Sequence, residues 1–242
     1  MRIHILLPAY NEQEALPRLL ERIKVAASTW NQDWCVVVLD DGSNDATAEC
    51  ARQFSGDMKI DIIKHPTNRG LAAAFRTGIT HICSYAAPED VLITLDADNT
   101  HDPGLIGEML RCFYEGVDIV LASRFVPGGG ESGIPLVRRI LSHSARWVIK
   151  LLFPIPEVRE YSCSFRGVRV ALYQRALATY GEDFIQSTTF AVTPEILLKL
   201  SRFYPRIVEV PLVLRYDQKV GASKMRVWRN ILGYLQLIWN CW

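Results

Sequence analysis

Asp96 and Asp98 close the apolar run Val91-Leu92-Ile93-Thr94-Leu95. A β-branched run that ends in Asp-x-Asp delivers two carboxylates at the exposed carboxyl end of a buried strand, which is where an open α/β sheet holds its ligands. Hard divalent cations, Mg2+ or Mn2+, take oxygen ligands of this kind and share them with substrate phosphates. The spacing therefore points to a metal–diphosphate site. Turns and helix N-caps use the same residue types, so the pair draws its meaning from what surrounds it. A second group is cationic. Arg138, Ser142, Arg146 and Lys150 recur every fourth residue and share a helix face, with Arg139 and His143 alongside. They follow a glycine-rich stretch, Pro127 to Gly133, that reads as a mobile loop. Such a stripe is either a solvated helix face or a binding surface.

Several elements must position these groups. Ile3-His4-Ile5-Leu6-Leu7 reads as a buried strand running into Pro8-Ala9-Tyr10-Asn11-Glu12, and Leu16, Leu19, Leu20 and Ile23 then recur at helical spacing. Cys35-Val36-Val37-Val38-Leu39 is a second strand, ending in Asp40-Asp41-Gly42-Ser43-Asn44-Asp45 and followed by a further helical segment. Ile60-Asp61-Ile62-Ile63 makes a third, after which Asn68-Arg69-Gly70 opens the Ala-rich helical segment 71–79. The strand ending at Asp96 is the fourth. Strands alternating with helices predict βαβ units: a single α/β domain with a mostly parallel central sheet flanked by helices. Three of the four strands end in polar clusters, which such a sheet gathers along one edge.

Composition narrows the function classes. A chain of 242 residues can bury a substantial core as one domain. A net charge of +1 gives no electrostatic case for nucleic acid. Six cysteines without a Cys-x-x-Cys pair, several inside apolar runs, read as reduced core thiols of a cytoplasmic protein. The amino terminus enters a strand directly, without a signal-peptide pattern. No stretch approaches the roughly 20 apolar residues of a membrane span; the nearest, Ile231 to Trp242, holds Gln236 and Asn240. Lys224, Arg226 and Arg229 interleaved with Trp228, Trp239 and Trp242 suit a helix lying at a lipid surface. The alternative is a helix packed on the domain's own core.

Pro8-Ala9-Tyr10-Asn11-Glu12, Asp40-Asp41-Gly42-Ser43, Asn68-Arg69-Gly70 and Asp96-Ala97-Asp98 stand in the order and spacing of inverting family 2 glycosyltransferases with the GT-A fold. The second half is similar to dolichol-phosphate mannose synthase and its polyprenyl-phosphate relatives. It carries Ser123-Arg124-Phe125 with Gly128-Gly129-Gly130, Arg138-Arg139-x-x-Ser142, Val210-Pro211 and Gly221-Ala222-Ser223-Lys224. The resemblance covers residues 3–225. It implies a GT-A domain over 1–225, with a nucleotide-sugar half at 1–123 and an acceptor half at 124–225; the basic and tryptophan residues beyond add an amphipathic, membrane-interfacial helix over 226–242.

By that resemblance Pro8, Ala9, Tyr10, Glu12, Asp40, Asp41, Gly70, Asp96 and Ala97 bind the nucleotide-sugar donor, and Asp96 and Asp98 hold Mg2+ or Mn2+. Arg124, Arg138, Ser142 and Lys224 bind the phosphate of a polyprenyl lipid acceptor, and Asp98, Arg124 and Arg138 are the residues expected to carry catalysis. The expected reaction moves one sugar, GDP-mannose being the first-choice donor, to a polyprenyl phosphate with inversion. The Gln-x-x-Arg-Trp signature of processive synthases is absent from the sequence, in keeping with one sugar per turnover. The expected location is the cytoplasmic face of a membrane, with room for a membrane-anchoring partner subunit.

The chemistry is consistent with an acceptor of this type. A phosphate monoester, with a second pKa of about 6, is largely dianionic at neutral pH and needs no carboxylate base; it needs cations that survive desolvation, which arginine supplies. Two departures from the family pattern stand out. Relatives read Asp-x-x-Ser-Gly-Phe-Arg where this chain has Glu160-Tyr161-Ser162-Cys163-Ser164-Phe165-Arg166, so a glycine's backbone freedom is lost at Ser164. Relatives also carry an arginine shortly before Gly-x-Ser-Lys, where this chain offers Lys219 or the more distant Arg215. Two other readings follow from these changes. One is a same-fold enzyme using UDP-glucose or a saccharide hydroxyl, the latter needing a base such as Glu160, Asp183 or Glu195. The other is a weakly catalytic nucleotide-sugar-binding subunit.

Overall fold

The computed structural model describes residues 1–134, 136–218, 233–234 and 236–238, and of positions 136–138, 140, 141 and 145 the helical backbone alone. Seven strands form the central sheet: β1 (Ile3–Ala9), β2 (Trp34–Asp40), β3 (Ile60–Lys64), β4 (Val91–Thr94), β5 (Ile119–Ser123), β7 (Arg166–Arg169) and β8 (Ile207–Pro211), in the order β3-β2-β1-β4-β7-β5-β8. All neighbours run parallel except β7, which is antiparallel to both β4 and β5. A small parallel pair, β6 (Gly130–Ser132) with β9 (Val213–Arg215), stands apart from it.

Alternation along the strands sorts side chains to two faces. Ile3, Ile5 and Leu7 of β1 join Val36 and Val38 of β2 against α1 (Leu16–Ala27) and α4 (Ile106–Tyr114). Leu6, Val37, Leu39 and Leu92 face the other way, toward α3 (Leu71–Cys83), α6 (Val170–Tyr180) and α7 (Val192–Ser201). Both faces being covered explains why the strands read as continuous apolar runs rather than alternating ones. The first strand is longer than its apolar run, because Pro8 and Ala9 continue to pair with Leu39 and Asp40. Pro8 lies beyond the last β4 partner, where β1 has lost one neighbour, the setting in which a sheet accepts proline.

Two features were not legible locally. The stretch read as a mobile loop contains β6, and Gly130 N–H donates to the Leu212 carbonyl, so its backbone finds partners some eighty positions away. The antiparallel β7 brings its amino-terminal end, Arg166, level with Thr94 of β4 and Leu121 of β5. Gly167 permits this, since a Cβ there would lie 2.8 Å from the Phe113 ring. The segment before β7 is thereby set beside the carboxyl ends of the strands that carry Asp96 and Arg124.

Candidate active site at the carboxyl edge of the sheet

The turns after β1 and β2 lock together. Asn11, in the left-handed region at φ 51°, donates its N–H to Ser43 Oγ at 2.9 Å, and its Oδ1 accepts Asn44 N–H at 2.9 Å. Glu12 N–H donates to Thr47 Oγ1 at 2.8 Å. Gly42, at φ 70°, packs so closely that a Cβ would fall 2.3 Å from the Thr67 carbonyl carbon. Pro8, Tyr10 and Glu12 are half-buried along this edge, and Ala9 is buried.

The two adjacent aspartates divide their work. Asp41 accepts His65 Nδ1 at 2.6 Å, Arg69 N–H at 3.0 Å and Gly70 N–H at 2.7 Å, so it organises the turn that opens α3. Asp40 spends Oδ1 on Ser43 N–H at 2.8 Å, while its fully buried Oδ2 has no hydrogen-bond partner among the described residues and lies 3.6 Å from Lys64 Nζ. An unsatisfied buried carboxylate oxygen costs about 1–3 kcal/mol, so Asp40 retains an acceptor atom that a donor group of a ligand could satisfy. Asp40→Ala is expected to weaken nucleoside-diphosphate binding about ten- to a hundredfold, the worth of one hydrogen bond to a charged group. Calorimetry with UDP and GDP measures this, and unchanged affinity for both would move the base elsewhere.

The Asp-x-Asp turn is held from three sides. Asp96 Oδ1 accepts Ser164 Oγ–H at 2.7 Å, and Asp96 N–H donates to His101 Nδ1 at 3.3 Å, which places the imidazole proton on Nε2. Asp98 Oδ1 accepts both the hydroxyl of Thr100 at 2.7 Å and its N–H at 3.2 Å. Arg22 of α1 clamps the turn from below, reaching Asn99 Oδ1 at 2.8 Å and Asp102 at 3.0 Å. Arg215 N–H caps it from above at the Thr100 carbonyl, 3.1 Å away. Ala97 is buried between the two aspartates. Among the described residues no three His, Cys, Asp or Glu side chains gather as a metal cluster. Asp96 and Asp98 are the two carboxylates that could hold a hard cation, which would complete its shell with diphosphate oxygens and water.

Arg124, at the end of β5, is buried among carboxylates. Its Nε and Nη2 grip Glu160 at 2.8 and 3.0 Å, Nη2 also reaches Ser162 Oγ at 3.0 Å, and Nη1 meets Glu131 Oε1 at 2.9 Å. Burial opposes ionisation of Glu160, but the facing guanidinium and the donors Ser162 N–H and Oγ–H outweigh it and hold the carboxyl below its ordinary range. Burial likewise works against the Arg124 cation, and the charge of Glu160 more than compensates.

The departure at 160–166 thus has a structural meaning. Glu160 fixes Arg124, and four residues on Ser164 fixes Asp96. Ser164 is not among the residues with positive φ, so the backbone does not need the family's glycine, and the added hydroxyl is what Asp96 accepts from. Arg166, also buried, donates to the carbonyls of Cys163 at 2.6 Å and Thr193 at 2.9 Å, pinning the segment. Arg22, Ser164 and Glu131 are contributors that local sequence patterns did not single out, because their partners lie far along the chain.

Other expected residues are placed as follows. Gly70 opens α3 as its N-cap at φ 88°. Ser142 is half-buried on α5 (Leu136–Leu152). The Arg138 side chain and Lys224 lie outside the described residues, as do Lys219 and the three C-terminal tryptophans. Arg146 is turned inward, 4.2 Å over the Phe125 ring, beside the Arg124 guanidinium at 5.0 Å from the same ring. Of the proposed helix over 226–242, residues 233–234 and 236–238 are described, and among them Tyr234 and Leu237 pack on the core. The five described cysteines are free, and burial raises Cys83 and Cys163 to about 12, which leaves those two thiols unreactive.

Residues 4–179 match the glycosyl transferase family 2 model. The chain is 30% identical over 241 residues to a dolichol-phosphate mannosyltransferase of Pyrococcus furiosus, covering 99% of this chain and 63% of that protein. It is 28% identical over 226 residues to an undecaprenyl-phosphate mannosyltransferase of Micrococcus luteus, covering 93% and 88%. It thus spans less than two thirds of the first relative's length. Among solved structures, glucosyl-3-phosphoglycerate synthase from Mycobacterium tuberculosis, with bound Mn2+, UDP and glucosyl-3-phosphoglycerate, superposes at a TM-score of 0.69. That match, 17% identical over 99% of this chain and 78% of the other, shows a common fold. The chain belongs to glycosyl transferase family 2 and has the GT-A fold.

Proposed function

We propose that this enzyme transfers one sugar from a nucleotide sugar to the phosphate of a polyprenyl lipid, with inversion. Mannose from GDP-mannose ranks first and UDP-glucose second. The observation that carries this reading is the commitment of the candidate bases. Glu160 is bound into Arg124, and Glu195 is buried against Lys199 at 2.7 Å while accepting Gln186 and Ser187 N–H groups at 2.9 Å. Asp183 is exposed and bound to Gln186 Nε2 at 2.9 Å. An acceptor hydroxyl would need a carboxylate to take its proton, whereas a phosphate dianion arrives already ionised. The names of the Pyrococcus and Micrococcus relatives support the same acceptor class.

In this reading Asp40 receives the base, the turns after β1 and β2 cradle the ribose, and Asp96 and Asp98 are the residues that would hold Mg2+ or Mn2+. The cation, when bound, neutralises charge growing on the leaving group. Glu160 sets the plane of Arg124, so its Nη1 edge faces the acceptor phosphate, with Arg138, Ser142 and Lys224 completing the anchor. A phosphate oxygen then attacks the anomeric carbon in line, and the enzyme contributes proximity and charge stabilisation.

Helix α5 supports a lipid-surface location. Trp147, Val148 and Leu151 are exposed, Leu151 at 83%, on a helix that also exposes Arg139. Apolar and aromatic side chains beside cations suit the headgroup boundary. No helix among the described residues is long and apolar enough to cross a membrane. In this reading the enzyme works at a lipid surface, on the cytoplasmic face, alone or with an anchoring subunit.

The test offers purified protein, Mg2+ or Mn2+ and a short polyprenyl phosphate a panel of GDP- and UDP-sugars, with glycosyl phospholipid followed by mass spectrometry. Arg138→Ala should lower transfer about ten- to a hundredfold, the worth of a charge-assisted contact, while donor binding persists. Unchanged turnover would remove Arg138 from the acceptor site, and product only with a saccharide acceptor would overturn the proposal.

A further inference from the structure

Arg124 is gripped by two carboxylates of unequal hold. Glu160 is bidentate and takes three more donors, from Ser162 N–H, Ser162 Oγ–H and Cys163 N–H, each at 3.0 Å. Glu131 has one hydrogen bond to the guanidinium, at Nη1. Its Oε2 is buried without a hydrogen-bond partner among the described residues and stands 3.7 Å from Arg139 Nε. The side chain of Glu131 is 6% exposed and that of Arg139 60%. Glu131 and Glu160 therefore share the Arg124 guanidinium, and the cation nearest the remaining Glu131 oxygen, Arg139, is in solvent. A phosphate monoester carries what Glu131 supplies, an anionic oxygen for Nη1, together with additional charge and acceptor oxygens.

We propose that Glu131 is a specificity-determining residue that stands in for the acceptor phosphate when no acceptor is bound. The incoming phosphate displaces it from Nη1, and the released carboxylate moves to the exposed Arg139. This rests on reading Arg124 as a contact of the acceptor phosphate. Its consequence is discrimination: a neutral hydroxyl acceptor cannot replace the carboxylate on Arg124, so the site stays closed to it, while a phosphate dianion competes successfully. Glu131 lies on the three-residue strand β6, flanked by Gly128 and Gly133 at positive φ, so the displacement needs no rearrangement of the main sheet.

The experiment compares wild type with Glu131→Gln, which keeps the shape and removes the charge. Farnesyl phosphate binding is measured by calorimetry, and KM is measured separately for acceptor and donor. Glu131→Gln is expected to bind farnesyl phosphate about tenfold more tightly, the lower end for a charge-assisted contact. Its acceptor KM should fall in step while the donor KM holds. Arg139→Gln, which removes the landing place, should bind farnesyl phosphate more weakly than wild type. Equal or weaker binding by a folded Glu131→Gln, with wild-type transfer to polyprenyl phosphate intact, would overturn the displacement and leave the acceptor class standing. If neither protein binds farnesyl phosphate or transfers to it, the acceptor reading fails and this inference falls with it. Glu131→Ala guards against a substitute contact by the glutamine and should show the same direction.

Discussion

Asp98→Ala is expected to lower metal-dependent transfer by at least about a thousandfold, with little change in melting temperature. The magnitude follows from the leaving group. A nucleoside diphosphate departs with charge building on its β-phosphate, and a bridging cation contributes several kcal/mol of transition-state stabilisation, at about 1.4 kcal/mol per factor of ten. Asp98 is half-buried at a turn already secured by Arg22 and by Arg215 N–H, so the fold does not depend on its carboxylate. The check has two parts. Nucleotide binding is measured in Mg2+ and again in a chelator, and the difference shown by wild type should vanish in the variant. A variant that keeps chelator-sensitive binding would remove Asp98 from the metal site.

The second large effect belongs to Glu160. Glu160→Ala leaves Arg124 buried with its main counter-charge gone, and breaking a buried pair from one side costs about 3–5 kcal/mol. Against a typical total of about 5–15 kcal/mol, that is a large fraction, and for a chain this long each kcal/mol moves the melting temperature by about 2–4 °C. The melt should therefore drop by at least about 6 °C, and transfer should fall because Arg124 loses its fixed plane. Replacing both partners, Arg124→Met with Glu160→Leu, should recover part of the stability but none of the transfer.

The pH dependence has a definite sign. In the folded protein the Glu160 carboxyl is held below its ordinary 4.5, so its contribution is fully present above that value. It is lost as pH falls through the folded value. Wild type should thus lose stability on acidification below pH 4.5, and Glu160→Gln should show a flatter curve there. Parallel curves for the two proteins would refute the linkage.

How far the sequence reached depended on the distance between partners. Val91–Leu95 followed by Asp96 and Asp98 was legible because strand propensity and the exit turn are properties of adjacent residues. The same holds for Leu16, Leu19, Leu20 and Ile23, whose spacing alone marks the buried stripe of α1. Family motifs then assigned one or both of Asp40 and Asp41 to the donor. The structure separates them, Asp41 binding the turn at Arg69 and Gly70 and Asp40 keeping a buried oxygen available, a distinction that depends on where His65 and Lys64 come to lie. Arg146, one of the cations of the helix stripe, stacks on Phe125, because the helix orientation decides which cation faces inward.

Glu160 shows the limit most clearly. As a residue type it could be a general base, and nothing within ten positions argues otherwise; its partner Arg124 is 36 residues earlier. Only the antiparallel insertion of β7 between β4 and β5 brings the two together and sets Ser164 against Asp96. Strands, helix stripes and the carboxylates at the strand ends are written in local periodicity and backbone preference, so adjacent residues suffice to specify them. Which charges are neutralised in pairs emerges only in the folded chain, because ion pairing depends on contacts through space that no local pattern encodes.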